Sequence, residues 1–275
     1  MRTQEPAVRD QFGRILSGRL IKLPEDPKFF TFETLCGIPP VVARYFRCVF
    51  KKGQPHIQRA RISQSGIFRA GGWKPFTAHQ TVTTQPPGFV WEAGIRMAPL
   101  IKVRVRDSYL EGNGSIRGKL FGIVPIVNVS GGQELSSGAL QRYLAEAVWF
   151  PTALLPSDRM QWSEIDAGKA LAKLTDAGNE VSLEFSFNDA GEVTRIFTPG
   201  RYQYVKGKYE ITPWLIHLRN YQEFSGIRIP VEAEVEWVHP EGSFCYYKGR
   251  IVGIEYDFEK TKCDTCSAGA PSVLL

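Results

Sequence analysis

Leu140-Gln141-Arg142-Tyr143-Leu144-Ala145-Glu146-Ala147-Val148-Trp149-Phe150-Pro151 is a helical stretch in a chain whose flanks alternate. Leu140, Tyr143, Leu144, Ala147 and Val148 fall on one stripe, and Trp149 and Phe150 widen it. Such a helix needs burial around most of its circumference. Ser136 or Ser137 supplies an N-terminal cap, and Pro151 ends the run or kinks the chain beyond it. The pattern predicts a central helix over about residues 137–150, enclosed by its neighbours.

Those neighbours read as strands. In Ile101–Asp107, Ile101, Val103 and Val105 face one way and Lys102, Arg104 and Arg106 the other. Val181, Leu183, Phe185 and Phe187 alternate with Ser182, Glu184 and Ser186; Ala233, Val235 and Trp237 alternate with Glu232, Glu234 and Glu236. Further runs over Ile57–Gln64, Thr77–Thr84, Phe89–Met97, Ser115–Val127, Lys169–Leu174, Glu192–Thr198, Tyr209–Phe224 and Ser243–Asp257 are separated by turn signals such as Pro86-Pro87-Gly88 and Glu111-Gly112-Asn113-Gly114. Gly118 and Gly122 let Ser115–Val127 bend sharply. About ten strands at this spacing predict a mainly β (α+β) fold, a single curved antiparallel sheet or half-barrel wrapped around the central helix.

Residues 1–37 read as an N-terminal helical extension. Val8, Phe12, Ile15 and Leu16 recur at helix spacing, and Asp26-Pro27 opens a short helix reaching Leu35. Pro39-Pro40 opens another, with Val41, Tyr45, Cys48 and Val49 as its stripe. Residues 38–260 are expected to form the ligand-cup domain and 261–275 a flexible tail.

With 43% hydrophobic and 23% charged residues, the 275-residue chain can build a sizeable core and is not a disordered one. A net charge of +6 favours anionic partners. Apolar runs such as Phe121–Val129 fall short of the roughly 20 residues a spanning helix needs, and Met1–Pro6 has no apolar h-region, so a cytoplasmic protein without a membrane span is expected. The cysteines, Cys36, Cys48, Cys245, Cys263 and Cys266, are odd in number and scattered, unlike a disulfide framework. Cys263 and Cys266 make a lone CxxC without further ligands at matching spacing, and no metal is expected. No GxSxG elbow, HExxH or phosphate loop occurs, and no cofactor is expected.

Arg142-Tyr143-Leu144-Ala145-Glu146 with Trp149-Phe150-Pro151 downstream belongs to a wider pattern: Gln64-Ser65-Gly66, Trp73-Lys74-Pro75-Phe76, Phe89-Val90-Trp91, Asp107 with Tyr109 and Gly112, Pro213-Trp214, and Ile229-Pro230. The whole resembles a family of uncharacterised bacterial proteins known only as a domain of unknown function, over roughly Ile38 to Tyr256. The resemblance implies a LolA-like half-barrel, as in lipoprotein carriers, whose curved sheet cups helices and holds acyl chains.

Candidate chemistry gathers on the helix and the clearest strand. Arg142 and Glu146 stand at i, i+4 and can pair. Asp107 and Tyr109 share the face of Val103 and Val105, taken as the inward face; were Lys102, Arg104 and Arg106 inward instead, Asp107 would leave the site. A carboxylate at the end of an apolar face suits acid/base work. Gln64, His79, Trp91, Tyr143, Trp149 and Trp162 are candidate ligand-lining residues. The leading expectation is a cup binding a hydrophobic or lipid-like, apolar or amphiphilic small molecule. The alternative is an enzyme isomerising or cyclising an apolar substrate, with Asp107 or Glu146 as acid/base, Tyr109 as donor and Arg142 stabilising negative charge. Nucleic-acid binding through Arg59, Arg61, Lys102, Arg104 and Arg106 ranks third, and no nucleic-acid partner is expected, because few aromatic residues interleave with those cations.

Overall fold

The structure is a computed structural model and describes residues 28–259. The expected helix at Val8–Leu16, the tail, and Cys263 and Cys266 lie outside the described residues. Phe29–Glu259 form one compact unit.

The first half of the sheet comprises β1 (Ile57–Arg69), β2 (Trp73–Thr83), β3 (Gly88–Ala98), β4 (Ile101–Leu110), β5 (Asn113–Leu120) and β6 (Val124–Ser130). The second comprises β7 (Met160–Asp166), β8 (Lys169–Asp176), β9 (Asn179–Phe187), β10 (Val193–Val205), β11 (Lys208–Phe224), β12 (Ile227–His239) and β13 (Gly242–Phe258). All thirteen lie in one sheet, in the order β6-β5-β4-β3-β2-β1-β13-β12-β11-β10-β9-β8-β7. Each half is an antiparallel meander. The halves join where β1 pairs antiparallel with β13, from Ile57 opposite Phe258 to Phe68 opposite Tyr247.

This order explains the position of the helix. The chain leaves the sheet at one edge, β6, and re-enters at the opposite edge, β7, so residues 131–159 must cross from edge to edge. The crossover carries α2 (Gln133–Glu146), which packs against β4 and β5 on one side and β9 and β10 on the other. β5 and β9 stand nine places apart in the strand order. At roughly 4.8 Å per strand a flat sheet would separate them by about 43 Å, whereas a helix is only about 10–12 Å across. The sheet therefore curls around its crossover. The other helix, α1 (Pro40–Val49), buries Val41, Val42, Tyr45, Phe46 and Val49 and packs on β8 and β12. Tyr45 meets Phe187 with ring centres 5.9 Å apart. Proline at its first position opens α1, as expected.

Four expectations are corrected. There are thirteen strands, not about ten: Ser115–Val127 breaks at Phe121 (φ 54°) and Gly122 (φ 76°) into β5 and β6, and β7 shows no usable alternation because only Met160 is buried in it. The central helix starts at Gln133, after Gly132 (φ 87°), and ends as an α-helix at Glu146. The chain then tightens into 3-10 turns at Ala147–Trp149 and Pro151–Leu154. Ser136 does not cap it; its Oγ accepts the Gly114 N–H at 3.1 Å and ties the helix to β5. Of the short helix reaching Leu35, the described part is a 3-10 turn at Phe32–Leu35; ahead of it Phe30 is fully buried and its N–H donates to the Gln54 carbonyl.

At the β5–helix contact a Cβ on Gly114 would sit 2.6 Å from the Leu135 carbonyl oxygen and 3.1 Å from the Ser136 Cα. Both are backbone atoms and cannot swing away. Gly114→Ala is expected to destabilise the protein by about 2 kcal/mol, the usual scale of overpacking, read as a lower urea midpoint at unchanged slope.

Candidate functional site

β4 presents Asp107 inward, where Arg142 Nη1 of α2 donates to its Oδ2 at 2.6 Å. Lys102, Arg104 and Arg106 therefore project from the outer face. Arg142 Nε donates to Glu146 Oε1 at 2.8 Å, so one guanidinium bridges two carboxylates. Its carbon also lies 5.1 Å from the Phe89 ring centre and 4.9 Å from that of Trp91. Burial works against the Arg142 charge, but Glu146 and Asp107 more than offset it and raise its pKa above the ordinary guanidinium value.

A chain of amides continues from the ion pairs. Gln80 Nε2 donates to Glu146 Oε2 at 2.6 Å, and Gln64 Nε2 donates to Gln80 Oε1 at 3.0 Å. Gln64 Oε1 accepts from Trp91 Nε1 at 2.8 Å and from the Tyr247 hydroxyl at 3.4 Å. Asp107, Arg142, Glu146, Gln64 and Trp91 are thus brought together. Gln80 and Tyr247 join them unforeseen. The signal for Gln80 was a polar residue at an inward position between Ala78 and Val82.

A second group lies on β10–β13. Arg201 stands opposite Thr212, and its guanidinium carbon is 3.9 Å from the Trp214 ring centre and 5.8 Å from that of Trp237. Trp214 Nε1 donates to the Tyr246 hydroxyl at 3.0 Å, Tyr246 stacks on Trp237 at 5.9 Å, and Phe68 meets Tyr246 edge-on at 5.9 Å. Arg201 differs from Arg142 in having no carboxylate within ion-pair distance among the described residues. Its Nη1 is buried without a hydrogen-bond partner, as are Gln141 Oε1 and Gln203 Oε1. Gln141 donates its other amide atom to the Gly200 carbonyl at 3.0 Å, next to Arg201. Burial pushes the Arg201 pKa below the ordinary guanidinium value. Sequence reasoning missed Arg201, Trp214, Trp237 and Tyr246 as a group.

The remaining candidates lie elsewhere. The Tyr109 hydroxyl donates to Asp176 Oδ2 at 2.9 Å and so joins β4 to β8, away from the Asp107–Arg142 pair. Burial, then Asp176, raises its pKa. The Tyr143 hydroxyl donates to the Thr83 carbonyl, Trp149 Nε1 to the Pro230 carbonyl and Trp162 Nε1 to the Leu154 carbonyl, so each satisfies its polar atom within the core. His79 is exposed, its Nδ1 3.2 Å from Ser63 Oγ, and lies on the outer face rather than in the cup. On that face Arg61 is held by Asp257 and Glu255, Arg59 lies 3.9 Å from Asp257, and Arg106 lies 4.0 Å from Glu92. Among the described residues no group of three or more His, Cys, Asp or Glu is placed to hold a metal ion.

An antiparallel sheet curled over its own crossover helix, with a polar chain and an aromatic-caged arginine inside, makes this an open half-barrel with a lined interior. The chain belongs to DUF6920, a family of unknown function whose model matches residues 36–256. Among solved structures it is similar to a domain named for outer membrane lipoprotein sorting, from Vibrio parahaemolyticus, at 10% identity and a TM-score of 0.37, covering 74% of this chain and 87% of that one. A β-barrel-like protein of the unknown-function domain DUF1849 from Brucella abortus matches at 10% identity and a TM-score of 0.20, covering 74% and 98%. No curated protein matches the chain.

Proposed function

We propose that the half-barrel binds an amphiphilic small molecule, with an apolar body against the concave wall and an anionic head group on Arg201. The observation that carries this reading is the buried, partnerless Nη1 of Arg201. A buried guanidinium nitrogen left without an acceptor is costly, and a carboxylate or phosphate oxygen would supply the missing acceptor in charge-assisted geometry. Stacking on Trp214 fixes the guanidinium plane and leaves its edge for such a contact. Gln141 Oε1 and Gln203 Oε1 are two further unmet acceptors, suited to a hydroxyl or a bridging water. The partly buried Phe68, Met97, Val105, Trp237 and Tyr246 supply an apolar wall.

Acid/base catalysis by Asp107 or Glu146 has less support. Arg142 holds both carboxylates, Gln80 takes the second oxygen of Glu146, and Tyr109 is bonded to Asp176. Asp107, Arg142 and Glu146 read as the anchor fixing α2 to the sheet.

The test is titration of the full chain with dodecanoate and with dodecanol, followed by tryptophan fluorescence. Dodecanoate is expected to bind saturably. The alcohol is expected to bind about tenfold more weakly or worse, since it lacks a charge-assisted hydrogen bond worth roughly 1.5–3 kcal/mol. Equal affinities would remove the head-group assignment, and no binding of either would remove the cup reading.

A further inference from the structure

The cup leaves one feature of the fold unused. Leu100 is 91% exposed and Ile123 78%, and Phe121, Val124, Ile126, Val127 and Val129 are exposed as well. They share one corner of the sheet. Leu100 is in the β3–β4 turn, Phe121 and Ile123 in the β5–β6 turn, and the two turns are tied by the Phe121 N–H donating to the Lys102 carbonyl at 3.0 Å. The edge strand β6 buries neither of its faces. Edge strands of soluble proteins are ordinarily blunted by charge, yet β6 carries none. Contiguous apolar exposure of this kind marks an interaction surface.

The adjoining charge says what kind. Arg96, Lys102, Arg104 and Lys119 are exposed beside the apolar corner; Arg96 stands opposite Lys102 and Arg104 opposite Lys119. No Asp or Glu occurs in residues 93–106 or 113–132. An open depression of about 390 Å³, lined by Phe76, Arg96, Leu100, Ile101 and Lys102 among others, lies at the junction of the two kinds of surface. Apolar tips beside a row of cations match the two layers of an anionic bilayer surface, the acyl boundary and the phosphate plane. A second copy of the chain fits less well. Pairing β6 with β6 would place the Arg104 and Lys119 rows of both copies on one continuous face with no acidic residue to neutralise them, and Pro125 offers no N–H to the ladder.

We propose that this corner, the β3–β4 turn, the β5–β6 turn and β6, docks the protein onto an anionic lipid bilayer. Docking is peripheral; no described helix is long and apolar enough to cross a membrane. It uses none of the residues that line the cup and stands independently of what the cup holds.

The experiment is co-sedimentation of the full chain with vesicles of phosphatidylcholine alone and of phosphatidylcholine mixed with phosphatidylglycerol. Binding is expected to the mixed vesicles, to be about tenfold weaker or worse to phosphatidylcholine alone, and to weaken in about 0.5 M salt. Leu100→Ser combined with Ile123→Ser, and separately Lys102→Gln combined with Arg104→Gln, are each expected to lower it about tenfold without changing the thermal midpoint, since these side chains are exposed. Arg201→Met is expected to leave it unchanged, which separates surface docking from lipid capture in the cup. Failure to bind the mixed vesicles, unaltered binding by the corner variants, or loss of binding in Arg201→Met would each overturn the proposal. So would a dimer in solution that the Leu100/Ile123 variant converts to monomer, which would make the corner an interface between copies.

Discussion

Replacing Arg142 by methionine is expected to destabilise the fold by about 3–4 kcal/mol, the scale of breaking a buried ion pair from one side. Methionine keeps the length of the side chain and favours the helix nearly as well, so the loss falls on the charge. Side-chain exposure is 16% for Arg142, 18% for Asp107 and 12% for Glu146, low enough that water screens the pairs poorly. With the guanidinium gone, two carboxylates face each other across the helix–sheet contact with no cation between them. A variant that neutralises all three positions, Asp107→Asn with Arg142→Met and Glu146→Gln, is expected to recover most of the loss, because removing a buried network whole costs far less than removing one member. Urea unfolding of the single and triple variants is the measurement. A single-variant loss under about 1 kcal/mol would place these groups among solvent-screened surface pairs instead.

Part of the Arg142 anchor was legible in the sequence. Arg142 and Glu146 stand at i, i+4, and the alternation of Val103, Val105 and Asp107 put those three on one face of β4. Period two left open whether that face is the concave one, and the Arg142–Asp107 bond supplies the answer. Tyr109 satisfies the same alternation and yet belongs to a different contact: period two assigns a face, not a position along the barrel, and two residues further along β4 the opposing element is β8. Arg201 was hidden for another reason. Counting by twos from Ile196 and Thr198 makes Gly200 and Tyr202 inward, but the register slips between Thr198 and Arg201, where three steps on β10 match two on β11. That bulge turns Arg201 and Gln203 inward, and a one-residue slip reverses every later face. Tyr246 enters the cup the same way, as the residue passed over where the β12–β13 register shifts between Val235 and Glu236. Arg201 and Gln203 of the proposed head-group site, and Tyr246 of the wall beside it, are thus delivered by strand irregularities that alternation cannot register.

Arg201→Met is expected to weaken dodecanoate binding about tenfold or more while leaving the unliganded protein as stable as before, or more stable by about 1 kcal/mol. The two effects have opposite signs for one reason. In the free protein the half-buried Arg201 charge lies against Trp214 and Trp237 with no carboxylate within ion-pair distance among the described residues, and an apolar side chain of similar length removes its desolvation penalty while keeping most of the contact with the rings. In the complex the same charge contributes the charge-assisted bond that offsets the penalty. A residue that destabilises the free fold and strengthens the bound one marks a binding site rather than a packing element. Arg201→Lys keeps the charge but not the planar fork, and intermediate affinity is expected of it. Because a guanidinium stays charged across the working range even when burial lowers its pKa, the affinity should follow the ligand: steady at neutral pH and falling in acid as the dodecanoate carboxyl takes up its proton. Thermal unfolding with and without dodecanoate reads both signs in one experiment. The ligand-induced rise in midpoint should be smaller in Arg201→Met than in the unsubstituted protein at the same dodecanoate concentration. If the variant instead loses stability in the absence of ligand and keeps the ligand-induced rise, Arg201 is a packing residue and the head group lies elsewhere in the cup.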